Sequence, residues 1–553
     1  MTKPIDFQTD PSRYQHWRVE YVGNVASLFM DVDEKGGLFD GYDLKLNSYD
    51  LGVDIELADV VQRMRFEHPE IAAVVMQSGN DKVFCAGANI RMLAGAEHSH
   101  KVSFCKFTNE TRNTFETAGV DSHQPYICAI KGSCAGGGYE LALACDHIML
   151  ADDGSSSVSL PEVPLLAVLP GTGGLTRLSD KRKVRRDLTD VFCSVEEGVR
   201  GTRALKWNLV DEVIANSKFA ETVQARAQEF AVRNDHRKNA KGIELTAIER
   251  QFLDNGSIMY SLVEVDLNRE GGLATITING PSDDAPKSVE QLHREGPNTW
   301  MLRAARELDD AILHLRFNEL ELGVIAFKSA GDPELVIAHE ALLLENPNDW
   351  FTREILLYWK RVLKRVDMTS RSLVALIEPG SCFAGTLAEL LFSVDRSYMA
   401  DGEFEGDKRP NAAITLSHAN FGCHPMGNNL TRLETRFLGA PKAVDAAKEQ
   451  IGKALAADDA DDLGLVTFAF DDIDWEDEVR IFLEERASFS PDALTGMEAN
   501  LRFAGPETME TRIFGRLTAW QNWIFQRPNA VGDAGALQSY GTGQRGKFDR
   551  RRV

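Results

Sequence analysis

Glu140 is the only charged residue in an apolar run, Tyr139 to Cys145, that starts directly after Gly136, Gly137 and Gly138. A carboxyl group among apolar neighbours loses solvation, so a charge there needs a reason, of which helix capping or an ion pair is the structural one. Glycines ahead of a helix let the backbone approach another backbone or a ligand, and the first amides of that helix have no intrahelical partner. Such amides bind negative charge. A second amide-rich turn, Phe84-Cys-Ala-Gly-Ala-Asn-Ile90, also precedes helical sequence. Close helix–strand packing accounts for either segment alone. Together they suggest two peptide N–H groups aimed at one developing oxyanion, where a single donor is worth roughly 2.7 to 4 kcal/mol of transition-state stabilisation.

Rigid elements must precede these turns. Ile71 to Ser78 and Pro125 to Ile130 are short, continuous apolar runs, the pattern of strands buried on both faces. A hairpin-like segment around Val22 to Val32 leads to a helical pattern over Leu51 to Met64, and Ile148 to Ala151 reads as a further strand. Strand, turn and helix recur, as expected of an α/β layered fold.

The second half repeats the first. Gly380 to Asp395 overlays Gly132 to Asp146 with one inserted residue, so that Glu389 falls on Glu140. Leu322 to Asp332 echoes Ile71 to Asp81, and Tyr398 to Gly402 echoes Met149 to Gly154. The chain reads as a duplication. Its boundary is expected near the charged stretch Arg233 to Gly242 or in a helix after it, before the strand-like Gly272 to Ile278, and the two domains are taken as 1–255 and 256–553.

Bulk properties exclude several classes. The 553 residues suffice for two to four domains, and the 43% hydrophobic and 26% charged fractions are those of globular proteins. No apolar run approaches the ~18 to 20 residues that span a bilayer. A net charge of −23 disfavours nucleic acid, whose phosphates need clustered Lys and Arg, and an anionic substrate would require a locally basic mouth. The opening residues carry no secretory pattern, so cytoplasm is expected and the eight cysteines read as buried thiols. No Cys-x-x-Cys or His-Glu-x-x-His occurs, which predicts no metal site. His98-Ser-His100 reads as a solvated turn. Gly541 to Gly546 matches a dinucleotide-binding pattern with only seven residues after it, a chance match.

Phe84 to Asn89, Gly132 to Asp146, Leu160 to Leu178 and Glu196 to Val213 resemble, in order and spacing, the successive signatures of the crotonase (enoyl-CoA hydratase/isomerase) superfamily. The resemblance spans most of residues 20 to 215. It implies an α/β spiral of repeated ββα units, duplicated here and followed by helical C-terminal segments. It also implies a coenzyme A thioester substrate, with backbone N–H groups of Ala88 and Gly137 as the oxyanion hole. Glu140 and Glu162 fall on the positions of the hydratase acid/base carboxylates. There are departures from the pattern. Asn89 stands where Asp is common, a position read as structural, and Pro170-Gly171 comes one residue late, which is expected to widen the pocket. Thr386 replaces the oxyanion glycine in the second copy, and Val336-Ile-Ala-His-Glu340 replaces the first turn, so that copy reads as degenerate and Glu389 as structural.

The tail, Leu517 to Asn529 and Gly541 to Asp549, carries a closer resemblance to two-copy members of the superfamily. It implies ring-opening hydrolysis of 2,3-epoxybenzoyl-CoA with one carbon lost as formate, without metal or redox cofactor, coenzyme A being part of the substrate. Cys105, on the helical segment after the first oxyanion turn and between Phe104 and Phe107, is taken as a third pocket residue. Lys45 is taken as a contact for the coenzyme phosphates. A homodimer is expected, with no nucleic acid or membrane partner. A plain enoyl-CoA hydratase or isomerase and an inactive acyl-CoA-binding scaffold are the alternatives. Formate release separates the first reading from the second, and retention of both Glu140 and Glu162 argues against the third.

Overall fold

The computed structural model describes residues 4–553 and divides the chain into two compact units, one running from Asp6 to Leu245 and the other built on Thr246–Val553. In the first unit β1 (Trp17–Val22) and β2 (Val25–Met30) form an antiparallel hairpin whose turn is Gly23 and Asn24. Next come β3 (Ala73–Ser78), β4 (Val83–Cys85), β5 (Tyr126–Ile130), β6 (Ser133–Ala135), β7 (His147–Asp152), β8 (Ser157–Ser159) and β9 (Glu212–Ala215). The main sheet has the order β1-β2-β3-β5-β7-β9 and is parallel from β2 onward. The remaining strands form a small parallel sheet, β4-β6-β8. Three main-sheet strands thus hand the chain to a short strand and then to a helix: β3, β4 and Ile90–Gly95; β5, β6 and Gly137–Ala144; β7, β8 and Glu162–Leu166. This is the expected ββα spiral.

Continuous apolar strands are buried on both faces. Val75, Ile127, Ala129, Met149 and Ala151 pack against Phe219, Val223, Ala227 and Ala231 of the helix Phe219–Asn234. His98–Glu116 packs against both Leu51–Glu67 and Gly137–Ala144. His98-Ser-His100 therefore opens a helix, where a solvated turn was expected, and the His100 ring meets Phe39 edge-on. The residues after Asn234 also differ from expectation. Asp235 to Arg250 contains no helix. This stretch runs extended beside the end of Leu51–Glu67, with Ile243 N–H donating to the Phe66 carbonyl, and Ile243 and Leu245 are buried in alternation. A period of two suits a strand-like path and not a helix.

The second unit repeats the frame. Val263–Asn268 and Leu273–Asn279 are antiparallel, and Val324–Ala330, Ser372–Ile377, Arg396–Ala400 and Phe468–Phe470 follow in parallel order. The helices Trp475–Ser488, Pro491–Arg502 and Thr518–Ile524 supply the helical C-terminal segments. Among the described residues no helix is long and apolar enough to cross a membrane, and the eight cysteines are free thiols.

One buried side chain ties the frame of the first unit together. Asn47, left-handed at φ 51°, accepts from Val32 N–H at 3.1 Å and donates to the carbonyls of Met30 and Phe84 at 3.1 and 3.2 Å and to Ser78 Oγ at 2.9 Å. It joins the ends of β2, β3 and β4. Asn47→Ala leaves the buried Val32 N–H unpaired, at about 1 to 3 kcal/mol, while the Met30 carbonyl keeps Gly79 N–H and Ser78 Oγ keeps Asn80 N–H and the Val83 carbonyl. Thermal unfolding is expected to begin several degrees lower; an unchanged transition contradicts this role.

Candidate active site

The three strands of the small sheet end side by side, and the chain that leaves each of them carries a piece of the site. After β4 comes Ala86-Gly87-Ala88, after β6 comes Gly136 and the helix Gly137–Ala144, and after β8 comes Leu160-Pro161-Glu162. The first two turns nearly touch. A Cβ on Gly87, at φ +90°, would lie 2.8 Å from the Ala135 carbonyl and 3.0 Å from Gly137 N, and a Cβ on Gly137 would lie 3.2 Å from Ala88 N. Tyr49 brackets the first turn through its backbone, donating to the Gly87 carbonyl at 2.9 Å and accepting from Asn89 N–H at 2.8 Å. Ala88 N–H and Gly137 N–H have no protein acceptor among the described residues, the second because it opens its helix. Two adjacent, unsatisfied amides are the geometry that an oxyanion requires. Asn89 has a structural place here: its Oδ1 caps Ile90–Gly95 by accepting from Met92 N–H, and its Nδ2 donates to the Asp43 carbonyl and Ser48 Oγ.

The two glutamates are both buried, at 3% and 9% exposure, yet they are held in opposite ways. Glu140 accepts from Thr172 N–H at 2.9 Å, from Gly174 N–H at 2.8 Å and from the Thr172 hydroxyl, so both of its oxygens act as acceptors. Glu162 Oε2 is buried with no hydrogen-bond partner. Burial first, then the neighbouring Glu140 charge, pushes the Glu162 carboxyl up to about 7, against the opposing pull of Arg112. It lies over the second turn: a Cβ on Gly136, whose φ of +52° already favours glycine, would come within 2.9 Å of Glu162 Oε1. One carboxyl is thus fixed as an acceptor and the other is poised to hold a proton at neutral pH.

Cys105 lies on His98–Glu116 near the Glu140 loop, its Sγ 3.9 Å from where a Cβ on Gly171 would be. Burial and the Glu140 charge push its thiol up to about 11, so it keeps its proton at neutral pH. Phe104 and Phe107 turn into the core, packing on Tyr49 and Phe7, and do not flank it. Lys45 is exposed on the turn Lys45–Asn47, whose Leu46 carbonyl accepts from Ala86 N–H, so it stands at the rim of the first oxyanion turn. Lys35, Lys45 and Arg91 all act on Asp43 and hold it below the usual carboxylate range, Lys35 most strongly through its hydrogen bond. The late Pro170 is accommodated by Ala167 at φ 55°, and Val163, Leu165, Val168 and Leu169 beside Glu162 are exposed.

Sequence reasoning missed three contributors. Thr172 and Gly174, the donors to Glu140, lie within the third motif, whose Gly-Thr-Gly-Gly is the signal that could have found them. Arg112 is 1% exposed and lies under the site, donating to the Gly137 carbonyl at 2.8 Å and to the Thr172 carbonyl at 3.1 Å. It ties the oxyanion turn to the loop that clamps Glu140. The only sequence signal is its register, on the helix face of Phe104, Thr108, Thr111 and Phe115.

A family model described as enoyl-CoA hydratase/isomerase matches residues 44–256. Benzoyl-CoA-dihydrodiol lyase of Aromatoleum evansii is 52% identical over 549 residues, covering 99% of this chain and 98% of that protein. The fatty acid oxidation complex subunit alpha of Shewanella frigidimarina (strain NCIMB 400) is 31% identical over 45% of this chain and 32% of its own length. Among solved structures, the enoyl-CoA hydratase of Bacillus anthracis is 25% identical with a TM-score of 0.35, covering 41% of this chain and 82% of that one.

Arg112 acts here as a positioning residue. Arg112→Met removes the tie between the Gly137 and Thr172 carbonyls, the second of which still accepts from Arg177 at 3.3 Å, and turnover is expected to fall at least about 10-fold, the effect of 1.4 kcal/mol in a barrier. Arg112→Lys should recover part of it. Folded Arg112→Met with unchanged kcat would contradict the assignment.

Proposed function

The chain belongs to the benzoyl-CoA-dihydrodiol lyase family, within the enoyl-CoA hydratase/isomerase superfamily, and from that premise we propose that it opens the ring of 2,3-epoxybenzoyl-CoA by hydrolysis. The products are 3,4-didehydroadipyl-CoA semialdehyde and formate, a step of aerobic benzoate degradation. The chain is a lyase. The observation that carries the finer reading is the pair of oppositely held carboxyls beside two unsatisfied amides, in a chain similar from end to end to a lyase named for a benzoyl-CoA derivative.

In this mechanism the thioester oxygen accepts from Ala88 N–H and Gly137 N–H, and negative charge drawn toward it during C–C cleavage is stabilised there. Glu162, carrying a proton near neutrality, gives it to the epoxide oxygen as that C–O bond breaks. Glu140 orients a water and takes its proton. Two waters are consumed and one formate leaves with no net oxidation, so neither a redox cofactor nor a metal enters the scheme. Cys105, as a protonated thiol, serves as a wall contact or hydrogen-bond donor, and Lys45 with Arg91 receives the coenzyme phosphates at the rim. The exposed aliphatic residues from Val163 to Leu169 suit an apolar, ring-sized acyl group.

The testing experiment measures formate release from 2,3-epoxybenzoyl-CoA alongside hydration of crotonyl-CoA. Formate release is expected to dominate, whereas crotonyl-CoA hydration without formate release would favour a plain hydratase. Glu140→Gln and Glu162→Gln should each lower kcat ~10² to 10⁴-fold, the usual contribution of a positioned proton carrier, with a much smaller change in binding. Near-normal turnover in either one would remove it from the chemistry. The pH profile has a definite sign. Glu162 is the acid, so kcat/KM should fall as pH rises through about 7 and the carboxyl loses its proton, and that limb should vanish in Glu162→Gln. A rate that rises across this range would make Glu162 the base.

A further inference from the structure

The second unit rebuilds the oxyanion cradle and fills it with its own side chain. Gly385, at φ +50°, repeats the backbone of Gly136 at φ +52°, and Thr386 occupies the place of Gly137. Opposite them, where the first unit has β4 and the Ala88 turn, the second has the helix Pro333–Glu345, which presents a carboxyl group in place of a second N–H donor. Glu340 Oε2 accepts from Thr386 N–H and from the Thr386 hydroxyl, both at 2.5 Å. A Cβ on Gly385 would come within 2.6 Å of both Glu340 oxygens. Glu340 is 1% exposed and Thr386 fully buried.

The surroundings mirror those of the first unit with different chemistry. Glu389, in the place of Glu140, accepts from Asn420 Nδ2 at 2.8 Å and pairs with Arg432 at 2.9 Å, and Arg432 also pairs with Asp367 at 2.7 Å. Asn420 reaches back to the Gly385 carbonyl at 2.9 Å, and His424 Nε2 lies 3.3 Å from the Thr386 hydroxyl. Glu389 is thus spent on a buried ion pair. Burial raises the Glu340 carboxyl above its ordinary value, while the Ser417 and Thr386 donors and the neighbouring His418 oppose that rise.

We propose that Glu340 is a resident carboxyl ligand of the second unit's anion cradle: it takes the N–H that a thioester oxygen would take, closes that copy to acyl-CoA, and on removal uncovers a site for a small monocarboxylate such as formate or acetate. The part of this concerning acyl-CoA rests on the oxyanion reading of Ala88 and Gly137; the part concerning a monocarboxylate does not.

The test uses the full chain. Glu340→Ala is expected to unfold several degrees below the wild type, and sodium acetate, compared with sodium chloride at equal ionic strength, should restore at least half of that loss while leaving the wild type unmoved. A Glu340→Ala protein as stable as the wild type, or one that gains nothing specific from acetate, overturns the proposal. Should Glu340→Ala fail to fold, Glu340→Gln, which keeps an acceptor oxygen for Thr386, must fold, and its failure to do so also overturns it. Titration of the wild type with benzoyl-CoA should give one equivalent bound per chain; two equivalents overturn the closure. No binding at all would instead count against the oxyanion reading of the first unit, and the acetate result would stand apart from it.

Discussion

Two loops must approach one another with no side chain between them. Gly87 and Gly136 stand at the ends of neighbouring parallel strands, both with positive φ, and at each a methyl group would run into the opposite loop or into Glu162. Because nothing intervenes, the Ala88 and Gly137 amides lie close together with no protein acceptor. The rest of the first unit serves that approach. The small sheet sets the spacing, Tyr49 brackets one turn through its backbone, and Asn47 and Arg112 lock the turns to the main sheet and to the Glu140 loop.

The same approach divides the labour between the carboxyls. Glu162 follows β8 and reaches over Gly136, its Oε2 without a hydrogen-bond partner among the described residues, while Glu140 projects from the helix that Gly137 opens and meets the Thr172–Gly174 loop. Burial first and then the neighbouring Glu140 charge raise the Glu162 carboxyl to about 7.

Duplication shows how much of the frame persists while the residues at this place change. The second unit keeps the strand order, the positive-φ glycine and the buried glutamate of the following helix. It differs in the element facing the cradle, a helix instead of a strand and turn, and in the partner of that glutamate, Arg432 instead of two backbone amides. A frame set by apolar strands is indifferent to these exchanges, since the core packs on other faces.

The strand–turn–helix order and the duplication were legible in the sequence because they depend on local matters, continuous apolar runs and glycines that permit a turn, whereas the second β of each ββα unit was expected only from the family resemblance. Asn47, Arg112 and Glu340 were not legible. Each acts on groups 10 or more residues away in the chain, and neither a buried arginine under two carbonyls nor a glutamate facing a distant threonine leaves a periodic trace. The same holds for the path after Asn234, where polar composition hid an extended run along another helix, and for the split between Glu140 and Glu162. Sequence named both carboxyls as candidates; which one is clamped by donors and which one is left with an unpartnered oxygen was decided by tertiary structure, because hydrogen-bond donors and dielectric surroundings are properties of the packed neighbourhood and not of the chain.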